Sequence, residues 1–315
     1  MPTDYNILKR SGFDSEIAVF LAEACQAAYT SGSDWANQAG FETAHFFDRG
    51  NVQGFWCEKD SVALLAFRGT QNPGQWLRDV RFMPWRHQWG LVHRGFLDGV
   101  HDVELDLQNF DDAARGANHV WITGHSLGGA LALIAGARAK MAGMVPSLYT
   151  YGQPRVGLGD FADRFAIELA GRLIRFVNQS DIVTRVPPGL LYRHTGLVKR
   201  IVRPGVLEIV PSLEIPLPAD PRLRGQIEAA SRAATIPAME SAAAAEAAGI
   251  TAPMLIDNDL SPLSDKEFAE LQLALGSATE VPILEGLVPE GALPWIGDHA
   301  IGEYIRLLQQ IRDQR

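Results

Sequence analysis

The stretch from His119 to Ala132, His-Val-Trp-Ile-Thr-Gly-His-Ser-Leu-Gly-Gly-Ala-Leu-Ala, sets an apolar run, a Gly-x-Ser-x-Gly signature and a helix-forming segment end to end. A chain that turns from strand to helix within so few residues presses backbone against backbone. Small residues at Gly124 and Gly128 remove the Cβ atoms that would clash, and Gly129 extends the close packing. This turn predicts that Ser126 is an exposed hydroxyl at a helix N-terminus, where amides and dipole favour negative charge, with the Leu127 amide placed to donate to a developing oxyanion. The same pentapeptide also serves as a plain Ser-Gly turn capping a buried helix. Strand before, helix after and suitable partners elsewhere separate a nucleophile from a cap.

The partners are sought in a chain of 315 residues and 34.4 kDa whose 47% hydrophobic content supplies one large core, so residues 1–315 are expected to form a single domain. A formal charge of −9 argues against nucleic acid as a partner, because phosphate backbones demand clustered Lys and Arg. Cys25 and Cys57 make no disulfide framework; two reduced, buried thiols are expected, with a single bridge left open. The apolar segment from Ile17 to Ala28 follows Asp14 and Glu16, unlike the basic start of a signal peptide, and no run is long enough to span a membrane. The expectation is a soluble protein, cytoplasmic or secreted after loss of a signal.

Taken in order, Asp14 or Ser15 caps a helix to about Tyr29 with Ile17, Phe20, Leu21 and Ala24 on one face. Strands are predicted over Phe41 to Phe47, Val52 to Cys57 and Val62 to Phe67. The third ends in Phe67-Arg68-Gly69-Thr70, followed by a short amphipathic helix from Pro73 to Val80. Thr70 is either a second oxyanion donor or a cap for that helix. Trp76, Phe82, Met83, Pro84, Trp85 and Trp89 form an apolar run outside any obvious strand, read as a lid or as a patch packed permanently on the core. One helix is expected from Phe96 to Phe110, and His93 before it is a weak candidate base.

After the serine helix, strand, loop and helix alternate: Leu148 to Tyr151, Phe161 to Leu169, Leu173 to Val177. This alternation predicts a mostly parallel sheet flanked by helices, with chemistry at the C-terminal ends of the strands. Asp181 stands at such an end, where the acid of a triad belongs; Asp160 and Asp163 open a helix instead, and Asp298 is less well placed. A hairpin is expected over Leu197 to Ile215. Residues 216–291 are rich in Ala, Glu and Pro and read as a helical insertion, a cap over the site or a cover for a sheet edge. His299 precedes a final helix carrying Ile301, Tyr304, Ile305 and Leu308, and is preferred to His194 as the base because Ser, acid, His is the order of α/β-hydrolases.

Five segments together carry a resemblance: Phe67-Arg68-Gly69-Thr70, Val92-His93-Arg94-Gly95-Phe96, Gly124-His125-Ser126-Leu127-Gly128-Gly129-Ala130, Tyr151-Gly152-Gln153-Pro154-Arg155-Val156-Gly157 and Val177-Asn178-Gln179-Ser180-Asp181. The chain resembles the fungal-type (class 3) lipase family of α/β-hydrolases, from about Phe41 to Gly196 and again near His299. The resemblance implies Ser126 as nucleophile, Asp181 as acid and His299, in an Asp-His-x-x-x-x-Tyr setting, as base. It implies Thr70 and Leu127 as the oxyanion hole, Pro73 to Val80 as a hinged lid, and a structural His194. The family usually reaches its histidine by a shorter connection, and its secreted fungal members carry several disulfides, so this chain looks more like a bacterial or intracellular relative.

The function expected is ester hydrolysis, on acylglycerols or other apolar acyl esters, with no cofactor or metal and with transient contact to a lipid interface. The rivals are a phospholipase or acyltransferase using the same triad, and a catalytically silent hydrolase fold that docks proteins.

Overall fold

The strand Val62–Phe67 is buried at every position, as a run with no polar alternation requires when both faces of a sheet are covered. The computed structural model describes residues 4–10, 12–70, 84–178, 181, 183–187, 192–210 and 299–314. Within them the strands are β1 (His45–Arg49), β2 (Val52–Lys59), β3 (Val62–Phe67), β4 (Pro84–His87), β5 (Gly90–His93), β6 (His119–His125), β7 (Ser147–Tyr151), β8 (Leu173–Asn178), β9 (Leu197–Arg203) and β10 (Val206–Val210). The helices are α1 (Ser15–Ala27), α2 (Ser33–Gln38), α3 (Arg94–Asp102), α4 (Glu104–Ala114), α5 (Leu127–Met141), α6 (Gly159–Glu168) and α7 (Ile301–Asp313).

The main sheet runs β1-β2-β3-β6-β7-β8-β9-β10. Pairing is parallel from β3 through β6, β7 and β8 to β9, and antiparallel at the two ends, β1-β2-β3 and β9-β10. Side-chain alternation sends Trp121, Tyr149 and Tyr151 into one core and Val120, Ile122 and Leu148 into the other. The first core is roofed by α1, which packs along α7; the second by α3, α4, α5 and α6.

Asp14 caps α1 as expected, accepting from the Glu16 amide, and both Cys25 and Cys57 are buried free thiols. Other expectations need correction. The first strand begins at His45, because Phe41 is drawn into the core by its amide bond to the Ala36 carbonyl after the unforeseen helix α2. The helix expected from Phe96 to Phe110 is two, broken at Val103, whose φ of −110° and ψ of 18° leave the helical region. The tryptophan run ends in an unforeseen hairpin, β4 with β5, and Trp85 and Trp89 are packed in the second core, so this part of the run is no lid. The Pro73 to Val80 helix, residues 216–291 and Asp298 lie outside the described residues.

Candidate active site

Ser126 joins β6 to α5 with φ 57° and ψ −125°, a positive-φ conformation that a side chain resists and that surrounding contacts must hold. Its amide donates to the Tyr151 carbonyl at 2.9 Å, and its carbonyl accepts from the Gly129 amide at 2.9 Å. A Cβ on Gly128 would stand 2.5 Å from the Phe67 oxygen and 2.7 Å from that of Arg68. The glycines therefore do what the sequence requires of them, letting the elbow sink between the ends of β3 and β7. For the same reason Ser126 is fully buried rather than exposed.

Asp181 follows β8 and is also buried. Its Oδ1 accepts from the Val183 amide at 3.0 Å. Its Oδ2 accepts from His299 Nδ1 at 2.8 Å and from the Tyr304 hydroxyl at 2.7 Å, and Tyr304 in turn accepts from the Asn178 amide at 2.9 Å. A carboxylate can only accept, so the proton lies on Nδ1 and the lone pair of His299 on Nε2. Gly152, at φ +58°, backs this pair: a Cβ there would stand 2.6 Å from Asp181 Oδ2 and 2.9 Å from His299 Nδ1. Ser126 Oγ and His299 Nε2 are both buried and have no hydrogen-bond partner among the described residues. One is a hydroxyl donor and the other a basic lone pair.

The competing residues are engaged elsewhere. His194 Nε2 bonds the Thr184 carbonyl at 2.7 Å, bracing the turn after Asp181, and burial, with Arg175 and Arg155 nearby, holds its pKa well below the ordinary histidine value. His93 lies over Phe96, ring centres 4.2 Å apart. Asp160 accepts from the amides of Leu91 and Phe161, and Asp163 pairs with Arg193. Thr70 is half-buried and follows Gly69, where a Cβ would meet the His125 carbonyl at 2.7 Å, so it begins beside the elbow. Leu127 is the first residue of α5, so its amide has no partner within the helix. No cluster of metal-ligating side chains occurs among the described residues.

Three neighbours were not foreseen from the sequence: Tyr304 as a donor to Asp181, and His125 with Tyr29 beside His299. His125 Nε2 lies 2.6 Å from the His299 carbonyl and its Nδ1 3.1 Å from the Tyr29 hydroxyl. A histidine at the buried end of core strand β6, directly before Ser126, was the available signal.

The family model Lipase (class 3) matches residues 64–190, from within β3 past Ser126 and Asp181. The matched segment, about two-fifths of the chain, is similar to class 3 lipases. A relative from Fusarium solani, a secreted mono- and diacylglycerol lipase, is 36% identical over 42% of this chain and 42% of its own length. A relative from rice (Oryza sativa subsp. japonica), phospholipase A1-II 6, is 28% identical over 42% of each chain. The chain thus spans about two-fifths of the length of these curated relatives. Among solved structures, a triacylglycerol lipase described as having a serine-protease triad superposes with a TM-score of 0.54 at 25% identity, over 64% of this chain and 85% of the other. The fold is that of an α/β-hydrolase.

Proposed function

We propose that the protein is a serine carboxylic-ester hydrolase of the lipase type, with Ser126 as nucleophile, His299 as general base and Asp181 as the acid that orients it. The observation that carries this reading is the complementary pair of buried, unpartnered atoms, Ser126 Oγ and His299 Nε2, with His299 Nδ1 already bonded to Asp181. His299 takes the Ser126 proton as the hydroxyl attacks an ester carbonyl, and Asp181 stabilises the resulting imidazolium. The amides of Leu127 and Thr70 receive the oxyanion. The tetrahedral adduct collapses as His299 protonates the departing alcohol, and water activated by the same imidazole then frees the acid from Ser126.

The Fusarium solani relative and the triacylglycerol lipase structure support acylglycerols or other apolar acyl esters as substrates, reached through transient contact with a lipid interface. The rice relative's name supports a second reading, hydrolysis of a phospholipid acyl ester by the same groups. The deciding experiment pairs Ser126→Ala with fluorophosphonate labelling and a series of p-nitrophenyl esters, emulsified triacylglycerol and phosphatidylcholine vesicles. Turnover and labelling are expected to vanish in the variant, and wild-type rates there would overturn the reading. The ranking of the three substrate forms separates lipase from phospholipase.

A further inference from the structure

We propose that His125 and Tyr29 are positioning residues for the base: a chain from the Tyr29 hydroxyl through the His125 ring to the His299 carbonyl fixes His299 relative to the nucleophile. The inference rests on the function proposed above and adds residues on which the triad itself makes no claim.

The direction of each bond follows from what its atoms can do. The His299 carbonyl only accepts, so at 2.6 Å His125 Nε2 must carry the hydrogen. In the neutral ring Nδ1 is then a lone pair, and the Tyr29 hydroxyl at 3.1 Å donates to it. The opposite tautomer would set two lone pairs against each other at the His299 carbonyl. Tyr29, just beyond the end of α1, thereby selects the tautomer that lets His125 hold the base. Burial keeps the His125 ring neutral, its pKa pushed well below the ordinary value first by desolvation and then by His299. The groups facing the ring are Tyr29, His299 and Tyr304, the last edge-on at 6.2 Å.

The consequence is mechanical. An imidazole held only through Nδ1 can pivot about its bond to Asp181. Here the ring of His125 also lies against that of His299, centres 4.7 Å apart and 34° from parallel, while its Nε2–H grips the backbone of the same residue. His125 is the residue immediately before Ser126, so the base is tied to the nucleophile's own strand as well as to the acid's loop. Nucleophile and base lie far apart in sequence, and His125 joins them across 174 positions by one hydrogen bond. Misplacement of a reacting group by about 1 Å costs on the order of 10²-fold in rate, and the clamp opposes a shift of that kind.

The test uses the full chain, p-nitrophenyl butyrate and two substitutions at one site. His125→Phe keeps a ring over His299 and deletes both hydrogen bonds; His125→Gln restores an amide donor near the Nε2 position. For His125→Phe, kcat is expected to fall about 10- to 100-fold with KM changed less than about twofold. His125→Gln should recover most of kcat, and Tyr29→Phe should lower kcat in the same direction by less.

The low-field Nδ1 proton resonance of His299 reports on the clamp without turnover: sharp in wild type and His125→Gln, broadened by exchange in His125→Phe. Loss of ester hydrolysis as the function, seen with Ser126→Ala, is therefore distinct from loss of the clamp. Should His125→Phe lack a cooperative melt, Tyr29→Phe and His125→Gln decide by the same readouts. An unchanged resonance in the folded variants would overturn the proposal, as would a loss of kcat that Gln does not rescue.

Discussion

The two faces of the sheet hold the candidate site in different ways. On the face of α3, α4, α5 and α6 Ser126 is held by backbone approach: Gly124 and Gly128 let α5 close on β6 and on the end of β3 with no room for a Cβ, and Gly129 packs tightly against Gln153. On the face of α1 and α7 Asp181 and His299 are held by hydroxyl and imidazole hydrogen bonds from Tyr304, Tyr29 and His125. The first device is local and rigid, built within six residues of sequence from Gly124 to Gly129. The second is long-range, its bonds joining positions 96, 118, 123 and 174 residues apart. A local device fails all at once, whereas a distributed one is expected to fail in steps.

The largest expected effect tests whether the base has been placed on the correct histidine. His299→Ala should lower kcat/KM by about four orders of magnitude, as removal of a triad member does. His194→Ala, which removes only the bond to the Thr184 carbonyl, should cost about tenfold or less in activity, with a lowered melting temperature from the lost buried hydrogen bond. The reverse ranking in the same assay would move the base to His194 and dissolve the contrast between the faces.

Next are two glycines, one on each device. A Cβ on Gly128 meets two backbone oxygens, which cannot yield, so Gly128→Ala should destabilise the protein by about 3 kcal/mol or more and show as lost expression or a collapsed melting transition. A Cβ on Gly152 meets the side chains of Asp181 and His299, at a φ of +58° that costs an alanine about 1–2 kcal/mol by itself. Gly152→Ala should fold with reduced stability and lose about 100-fold in kcat, because what yields is the acid–base pair. Equal activity losses per folded molecule in the two variants would erase the distinction.

The difference between the devices also decides what could be read from sequence. The elbow was legible because its determinants are neighbours, and the parallel sheet because strand, loop and helix recur in order. Asp181 was legible as a carboxylate at a strand end, and His299 by its place after it. Tyr29, His125 and Tyr304 were not, since a tyrosine at the end of an apolar helix carries no mark of the residue its hydroxyl will meet. The break at Val103 escaped because Phe96, Val100, Val103 and Leu107 keep helical spacing across it and all are buried. The β4–β5 hairpin escaped because each arm has only four residues and the first starts with Pro84.

Acid tests both faces together, since each contains a neutral imidazole among aromatic rings: half-buried His87, beside Phe161 and Trp89, and buried His125, beside His299. Burial lowers the pKa of His87 to about 4 and that of His125 well below 6.5. Below the unfolded value near 6.5 the unfolded chain binds protons that the folded chain refuses, so stability is present above that pH and lost as pH falls toward the folded values. The slope is about 1.4 kcal/mol per pH unit per proton. His87→Gln should reduce this slope between pH 6.5 and 4 by about one proton with kcat at neutral pH unchanged, which denaturant melts across that range would measure. An undiminished slope would show that His87 is accessible to protons in the folded state.

The smallest effect singles out one hydroxyl. Tyr304→Phe removes a donor from Asp181 Oδ2 and the acceptor that the Asn178 amide uses, while His299 Nδ1 and the Val183 amide continue to bind the carboxylate. The loss is therefore partial: about 1–2 kcal/mol of stability and about tenfold in kcat, with KM little altered. Tyr149→Phe is the control on the same face. Its hydroxyl meets the Gly12 carbonyl at 3.3 Å and the Asp14 amide at 3.4 Å, near the start of α1, so it should cost at most about 1 kcal/mol and leave kcat as it is. If both variants lose stability alike and neither loses turnover, the tyrosines of this face only hold the core together. If Tyr304→Phe alone slows turnover, the hydroxyl that reaches the acid does more than pack: it keeps Asp181 Oδ2 where His299 needs it.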